Sequence, residues 1–296
     1  CTIVPSVNRV TKDINEKIKI AQVRKTIYID QDGILSIKKI NLKGKSKLVE
    51  KLSESRNSGL ILFSSGSTGQ PKAMVHNLDN IIKSFKWRKQ RNLNILVFLL
   101  FDHIGGLNTL FSALSTGAHL ILPIERSPSS VARLIEKYKI NVLPTSPTFL
   151  NMMLMENVSE KFNLNSLKMI TYGTEQMQQS VLSKLRRTFP KTRFLQTFGT
   201  SETGIAQTES FSSDSLKMKI KDPNQKLKIV DGELWLKSKT QILGYINAKM
   251  DNFTKDGWFK TGDVVEESKD GFLSIIGRKK EIINVGGEKV HPTEIE

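Results

Sequence analysis

Cysteine is all but missing from this chain: one residue in 296 is cysteine, and it stands at position 1. A lone thiol excludes an internal disulfide framework and a cysteine-based zinc site, and it suits a reducing, cytoplasmic compartment. Long hydrophobic runs are missing as well. The longest, Ile95–Phe101, falls far short of the ~20 residues needed to cross a bilayer, so no stable membrane insertion is expected. The opening CTIVPSVNRV lacks the charged start, apolar stretch and cleavage site of a secretory leader, and without an initial methionine it reads as a fragment or a processed chain. Asn157-Val-Ser and Asn252-Phe-Thr match the glycosylation pattern, but in that context we read both as chance. Histidine is scarce at four residues, and His76, His119 and His291 show no partner pattern.

Acidic residues are outnumbered, 29 against 45 basic, for a net charge of +16. Such a balance invites a nucleic-acid reading. The lysines are scattered, however: residues 1–56 carry thirteen basic and six acidic side chains, and residues 276–296 carry four of each. No arginine-rich block, zinc-ligand spacing or aromatic-interleaved RNA motif accompanies them. A Lys-, Ile- and Asn-rich vocabulary is also what an AT-rich genome writes, and no nucleic-acid partner is expected.

From Leu60 onward, apolar strand patterns alternate with amphipathic helical ones. The strands are Leu60–Phe63, Ile95–Phe101, His119–Leu122, Val142–Pro144, Met169–Thr171 and Phe194–Thr197. The helices are Leu78–Lys86, Gly106–Leu114, Pro128–Tyr138, Pro147–Met155 and Gln178–Phe189. This alternation predicts layered parallel α/β structure. After about Ser210 the texture shifts to short strands with turns at Asp231-Gly232, Asp256-Gly257 and Asp270-Gly271, which predicts a small antiparallel, barrel-like sheet. Residues 1–56 are the least legible: a hairpin of Thr26–Asp30 with Ile34–Ile40, then a helix over Ser46–Glu54. The expected parts are 1–56, a shortened α/β segment; 57–210, the α/β core; 211–279, the barrel-like part; and 280–296, a hinge.

Between strand Leu60–Phe63 and the helix near Asn77 lies SSGSTGQPKA. Gly66 and Gly69 let the backbone turn tightly against a ligand. Ser64, Ser65, Ser67 and Thr68 supply hydroxyl donors, Pro71 stiffens the exit and Lys72 adds a positive charge, a set suited to an anionic phosphate. It is not a Walker loop, because Gly69 and Lys72 are separated and Ala73 follows. A flexible Gly/Ser linker is the plainer reading, but linkers rarely follow a buried strand and end in Pro-Lys. Gln196-Thr197-Phe198-Gly199-Thr200-Ser201-Glu202-Thr203-Gly204 delivers an aromatic ring, hydroxyls and a carboxylate at a strand end: Phe198 to stack on a purine, Ser201 to bond a phosphate, Glu202 to ligate Mg²⁺. Alone, this set is equally a chance turn. In Gly257–Asp263, GWFKTGD, the acid held by a tight turn makes Asp263 the candidate ribose ligand. Tyr172-Gly173-Thr174-Glu175 is by itself a strand-to-helix turn in which Thr174 could cap the following helix.

Together these segments resemble the adenylate-forming superfamily of acyl-CoA synthetases, aryl-CoA ligases, luciferases and peptide-synthetase adenylation domains. Ser64–Lys72 matches its signature loop, with Ala73 for the usual glycine; Phe198 and Ser201 replace the Tyr and Thr of its Y-G-x-T-E pattern. Gly257–Asp263 resembles its [YF]-x-T-G-D segment, and Gly277–Glu296 is the longest match. The resemblance implies ATP, Mg²⁺ and a small carboxylic acid as reactants, with CoA, or alternatively the phosphopantetheine of a carrier protein, as thiol acceptor. It implies nucleotide contacts along Ser64–Lys72, at Gly173, Thr174 and Glu175, along Thr197–Glu202, and at Asp263 and Arg278. It further implies a site role for His103, a hinge at Lys280, a thiol tunnel at Gly286 and Gly287, and an acyl pocket of Phe149, Met152, Tyr172, Gly173 and Ala206. The implied fold is α/β subdomains, a distorted β-barrel and a mobile C-terminal domain. Members carry a longer stretch before the signature loop than the 63 residues here, and the chain stops inside the linker to the mobile domain. The expectation is a piece that binds nucleotide and is nearly inactive alone, since the domain's catalytic lysine has no counterpart. A degenerate, non-catalytic nucleotide binder is the alternative.

Overall fold

The computed structural model describes residues 1–6, 11–30, 32–41, 44, 46–64, 70–86, 89–281, 283–285 and 288–290. Ser65, Gly66, Ser67, Thr68, Gly69, Gly286 and Gly287 lie outside the described residues.

The alternating middle of the chain forms a five-stranded, all-parallel sheet in the order Arg193–Gln196, Met169–Tyr172, Val142–Thr145, Asn94–Leu96, His119–Ile121. Parallel neighbours need crossover helices, and the sequence starts them cleanly. Ser127 and Ser146 accept hydrogen bonds from the amides of Ser130 and Phe149 (each 3.3 Å), and Pro128 and Pro147 occupy the first turns of Pro128–Tyr138 and Pro147–Met155. Their apolar faces (Val131, Ala132, Ile135; Phe149, Leu150, Met153) bury against Leu143, Ile170 and Phe194. Each fully buried aliphatic side chain contributes ~1.5–3 kcal/mol. The expected strand Ile95–Phe101 pairs only over Asn94–Leu96. Beyond it the run is spent on packing: Phe98 lies against Phe149 with ring centroids 4.3 Å apart, and Phe101 joins a neighbouring core.

The strand Leu60–Phe63 is not part of this series. As Gly59–Ser64 it pairs antiparallel with Lys72–Asn77, an element absent from the sequence reading, in a second sheet ordered Thr2–Ile3, Gly59–Ser64, Lys72–Asn77, Gly244–Tyr245. The helix then starts at Leu78, capped by the Asn77 side chain, and ends at Lys83. One face of the sheet (Ile61, Phe63, Ala73, Val75) packs on Leu48 and Leu52 of helix Lys47–Glu54; the other (Leu60, Leu62, Met74) packs on Ile104 and Leu107 of helix Ile104–Thr116. His76 on the same strand is fully buried, and burial pushes its imidazole down to about 4, against a smaller opposing pull from the Thr240 backbone.

The last third forms a six-stranded antiparallel sheet: Thr208–Ser210, Met218–Ile220, Leu273–Arg278, Phe259–Glu267, Glu233–Ser238, Gln225–Val230. It curls over its own core of Met218, Leu234, Leu236, Val265 and Leu273, forming a half-barrel. Its first strand is tied to the parallel sheet by side chains: Ser210 Oγ accepts from the Gln196 amide (2.9 Å) and Thr208 Oγ1 donates to the Gln196 carbonyl (2.6 Å). The N-terminal hairpin forms as Lys25–Ile29 with Leu35–Lys39, its turn held by Asp30 Oδ1, which accepts from the amides of Asp32 and Ile34. Fold class thus agrees with the expectation: mixed α/β with a parallel sheet, followed by an antiparallel half-barrel.

Candidate active site

The sheet built on Gly59–Ser64 brings Ser64 and Lys72 opposite one another, in register, at the mouth of the signature loop. Both are half-buried. The second motif arrives as a hairpin, Phe198–Thr200 with Gly204–Ala206, with Ser201 and Glu202 at its tip. Its turn is internally braced: the Thr203 amide donates to Thr200 Oγ1 at 3.1 Å, and the two threonine hydroxyls lie 3.0 Å apart.

What joins hairpin and loop is a segment the sequence reading did not single out. The Ile242 amide donates to the Glu202 carbonyl (2.8 Å), the Leu243 amide to Val75 (2.7 Å) and the Ile246 amide to Ala73 (2.9 Å). Tyr245 Oη donates to Glu202 Oε1 at 2.8 Å. Burial and the neighbouring carboxylate push that hydroxyl above the usual phenol range, which favours its role as donor. Asn247 accepts from the Ala73 amide and donates to the Pro71 carbonyl, both at 2.9 Å. The only sequence signal was Gly-Tyr-Ile-Asn, polar tips two residues apart in extended chain; nothing local says what they reach.

Asp263 and Arg278 face each other across the strands Phe259–Glu267 and Leu273–Arg278, Arg278 Nε 2.7 Å from Asp263 Oδ1. Asp263 is 3% exposed, and its Oδ2 is buried with no partner. Burial pushes its carboxyl up, against the pull of Arg278 and the Thr261 hydroxyl. Glu233 braces the turn: Oε1 accepts from the Gly262 amide (3.0 Å) and Oε2 from Lys279 Nζ (3.2 Å). Lys280 follows, exposed, in the short 3₁₀ turn Lys279–Glu281.

Other expected site residues are placed differently from one another. Gly173 lies where strand Met169–Tyr172 meets Thr197: the Thr197 amide and hydroxyl both bond the Tyr172 carbonyl (2.8 and 3.0 Å). A β-carbon on Gly173 would come within 2.6 Å of Thr197 Oγ1 and 2.7 Å of its carbonyl. Thr174 does not cap the next helix; it takes a left-handed φ of +70°, an uncommon conformation for a β-branched residue. Glu175 accepts from the amide and hydroxyl of Thr148, at the positive end of helix Pro147–Met155. Phe198 is only 8% exposed: its ring fills the half-barrel core and leaves little face for a purine, because the hairpin turns it inward. Among the acyl-pocket residues, Phe149 and Tyr172 sit inside the main core and Ala206 is buried, whereas Met152, on the outer face of its helix, is 44% exposed and apart from them. His103 stands exposed at the start of helix Ile104–Thr116, Nε2 3.6 Å from Asp102 Oδ1. The following Gly106 is required by packing, since a β-carbon there would lie 1.9 Å from the Leu100 carbonyl oxygen. A cleft of about 460 Å³ lined by Asn80, Lys83, Ser84, Asn224, Lys239 and Thr240 contains none of the expected site residues. Among the described residues no group of three or more His, Cys, Asp or Glu is placed to hold a metal, and no helix is long and apolar enough to cross a membrane.

Comparison with known proteins bears on this arrangement. Over 296 aligned residues the chain is 27% identical to 4-coumarate–CoA ligase 4 of Arabidopsis thaliana, covering 90% of this chain and 52% of that protein. It is 30% identical over 263 residues to an indoleacetate–CoA ligase of Aromatoleum aromaticum, covering 80% and 51%. The structure of o-succinylbenzoate CoA synthetase from Bacillus subtilis, solved with an acyl-adenylate intermediate, superposes with a TM-score of 0.67 at 23% identity, covering 88% of this chain and 56% of that one. The chain thus spans about half the length of the relatives it matches. The model of the AMP-binding enzyme family matches residues 2–246, and the chain belongs to that family.

Proposed function

We propose that this chain carries the nucleotide site of an acid–thiol ligase, in which ATP activates a carboxylic acid to an acyl-adenylate with release of pyrophosphate, and the acyl group then passes to a thiol, CoA in the first instance. The observation that carries the reading is a link between two motifs distant in sequence: the segment from Ile242 to Asn247 bonds the backbone on either side of Lys72 and both the carbonyl and the carboxylate of Glu202. The names of the relatives, CoA ligases acting on aromatic acids, support the acceptor and leave the acid open.

The reaction asks for no protein nucleophile, because the substrate carboxylate attacks the α-phosphorus. The protein's work is to position and to stabilise charge. Lys72 and the hydroxyls from Ser64 to Thr68 would hold the departing pyrophosphate, and Ser201 the α-phosphate. The unpartnered Asp263 Oδ2 fits a ribose hydroxyl as donor, with Arg278 fixing the carboxylate's orientation. Mg²⁺ fits a site with one oriented carboxylate, Glu202, and no protein cage, since this ion is commonly held by one or two carboxylates plus substrate phosphates. Bound there it would neutralise phosphate charge.

The test is acid-dependent exchange of labelled pyrophosphate into ATP by the full-length protein, across a broad panel of carboxylic acids. Lys72→Ala and Glu202→Gln are each expected to lower exchange on the order of 10²–10³-fold. No exchange with any acid would end the reading, and unchanged rates in both variants would end the site assignment. Trapped acyl-adenylate offered CoA and, separately, a phosphopantetheinylated carrier protein decides the acceptor.

A further inference from the structure

The segment from Ile242 to Asn247 makes more directed contacts to the candidate site than its packing requires. Its backbone amides at 242, 243 and 246 bond Glu202, Val75 and Ala73, which is enough to hold it in place as a short edge strand. The two side chains do something further. Asn247 spends both ends of its amide on the backbone on either side of Lys72, accepting from Ala73 and donating to Pro71. Pro71 lies just beyond the last ladder pair, Ser64 with Lys72, and it has no amide hydrogen to donate; the Asn247 side chain holds its carbonyl there. Two residues earlier, the Tyr245 hydroxyl fixes one oxygen of the Glu202 carboxylate. The ring alone would satisfy the apolar core it packs against, with Met250 and Phe253 nearby; the hydroxyl is the part aimed at the site.

We propose that Tyr245 and Asn247 are positioning residues: a strap that sets the phosphate-loop exit at Lys72 and the metal-holding carboxylate of Glu202 at a fixed separation. Neither touches the reactants. Each holds a group that does, as outer-shell partners hold metal ligands. The inference rests on the nucleotide reading above and divides it between two residues: Tyr245 governs how the carboxylate meets Mg²⁺, and Asn247 governs how the loop meets the β- and γ-phosphates.

Calorimetric titration of the chain with ATP at varied Mg²⁺, and with AMP alone, separates the two. Tyr245→Phe keeps the ring and is expected to raise the Mg²⁺ concentration that half-saturates ATP binding by ~10-fold or more, within the range for loss of an outer-shell partner. Asn247→Ala is expected to weaken Mg·ATP by a similar ~10-fold while leaving AMP, which lacks the outer phosphates, unchanged. A merely structural role would weaken both nucleotides alike. An unmoved Mg²⁺ dependence in Tyr245→Phe, or equal losses of ATP and AMP in Asn247→Ala (misfolding included), overturns the strap while the nucleotide reading stands. Failure of the unsubstituted chain to bind Mg·ATP overturns both.

Discussion

Two buried ionisable residues make the stability of the fold depend on pH in opposite directions. Asp263 is held at 3% exposure beside Arg278, and its carboxyl is pushed up. Because its folded value lies above the unfolded one, the ionised carboxylate is a net cost to the unliganded fold, a cost that disappears as pH falls through the raised value. Asp263→Asn is therefore expected to raise the thermal midpoint at neutral pH, with no gain in acid, while ATP binding is lost. A lower midpoint at neutral pH would mean that the Arg278 contact outweighs burial. His76 runs the other way. Its imidazole falls from 6.5 to about 4, so the unfolded chain binds the extra proton between those values. Stability from this residue is complete above 6.5 and is lost progressively as pH falls toward 4, about 3 kcal/mol in all at ~1.4 kcal/mol per unit. His76→Leu should flatten the midpoint's decline across that window. An unaltered slope would assign the acid sensitivity elsewhere.

At the scale of elements, the junction of strand Met169–Tyr172 with Thr197 is a tight constraint near the candidate site. Gly173→Ala would drive a methyl group into the Thr197 hydroxyl and carbonyl, at 2.6 and 2.7 Å, and stretch the two bonds to the Tyr172 carbonyl. Urea unfolding should register a loss of about 1–3 kcal/mol, as for other overpacked positions. Full stability would show that Thr197 shifts freely. Such junctions separate what was legible in the sequence from what was not. Helix Pro128–Tyr138 could be read to the residue, since Ser127, Pro128 and a 3.6-residue apolar face all state it locally. The strand Lys72–Asn77 could not: its composition, KAMVHN, is ordinary, and its pairing is decided by Gly59–Ser64 on one side and Gly244–Tyr245 on the other. The run Ile95–Phe101 misled for a related reason. Hydrophobicity reports burial, and beyond the ladder Phe98 is half-buried against the Phe149 ring and Phe101 against a neighbouring core. At the candidate site, the proposed residues Lys72, Glu202, Asp263 and Arg278 stand out in the sequence by residue type and motif. Tyr245, Asn247 and Glu233 act on backbone or on other side chains at long range and have no local signature.

Taken whole, the three larger sheets carry separate cores, and side chains set on backbone tie the parts together: Ser210 and Thr208 of the half-barrel on Gln196 of the parallel sheet, and Asn247, at the end of its own edge strand, on Pro71 and Ala73. The last of these spans 174 residues of chain, from Ala73 to Asn247. Chain growth runs in one direction, so the hairpin bearing Lys72 leaves the ribosome long before its final neighbour. Until Gly244–Tyr245 is made, Lys72–Asn77 is an open β-edge, a template on which other strands can add. At 5–20 residues per second that exposure lasts roughly 10–30 s, ample time for a stray pairing. The short strand just before Asn247 is thus also the cover that closes this edge, and the earliest-made piece of the candidate site waits for a neighbour made long after it.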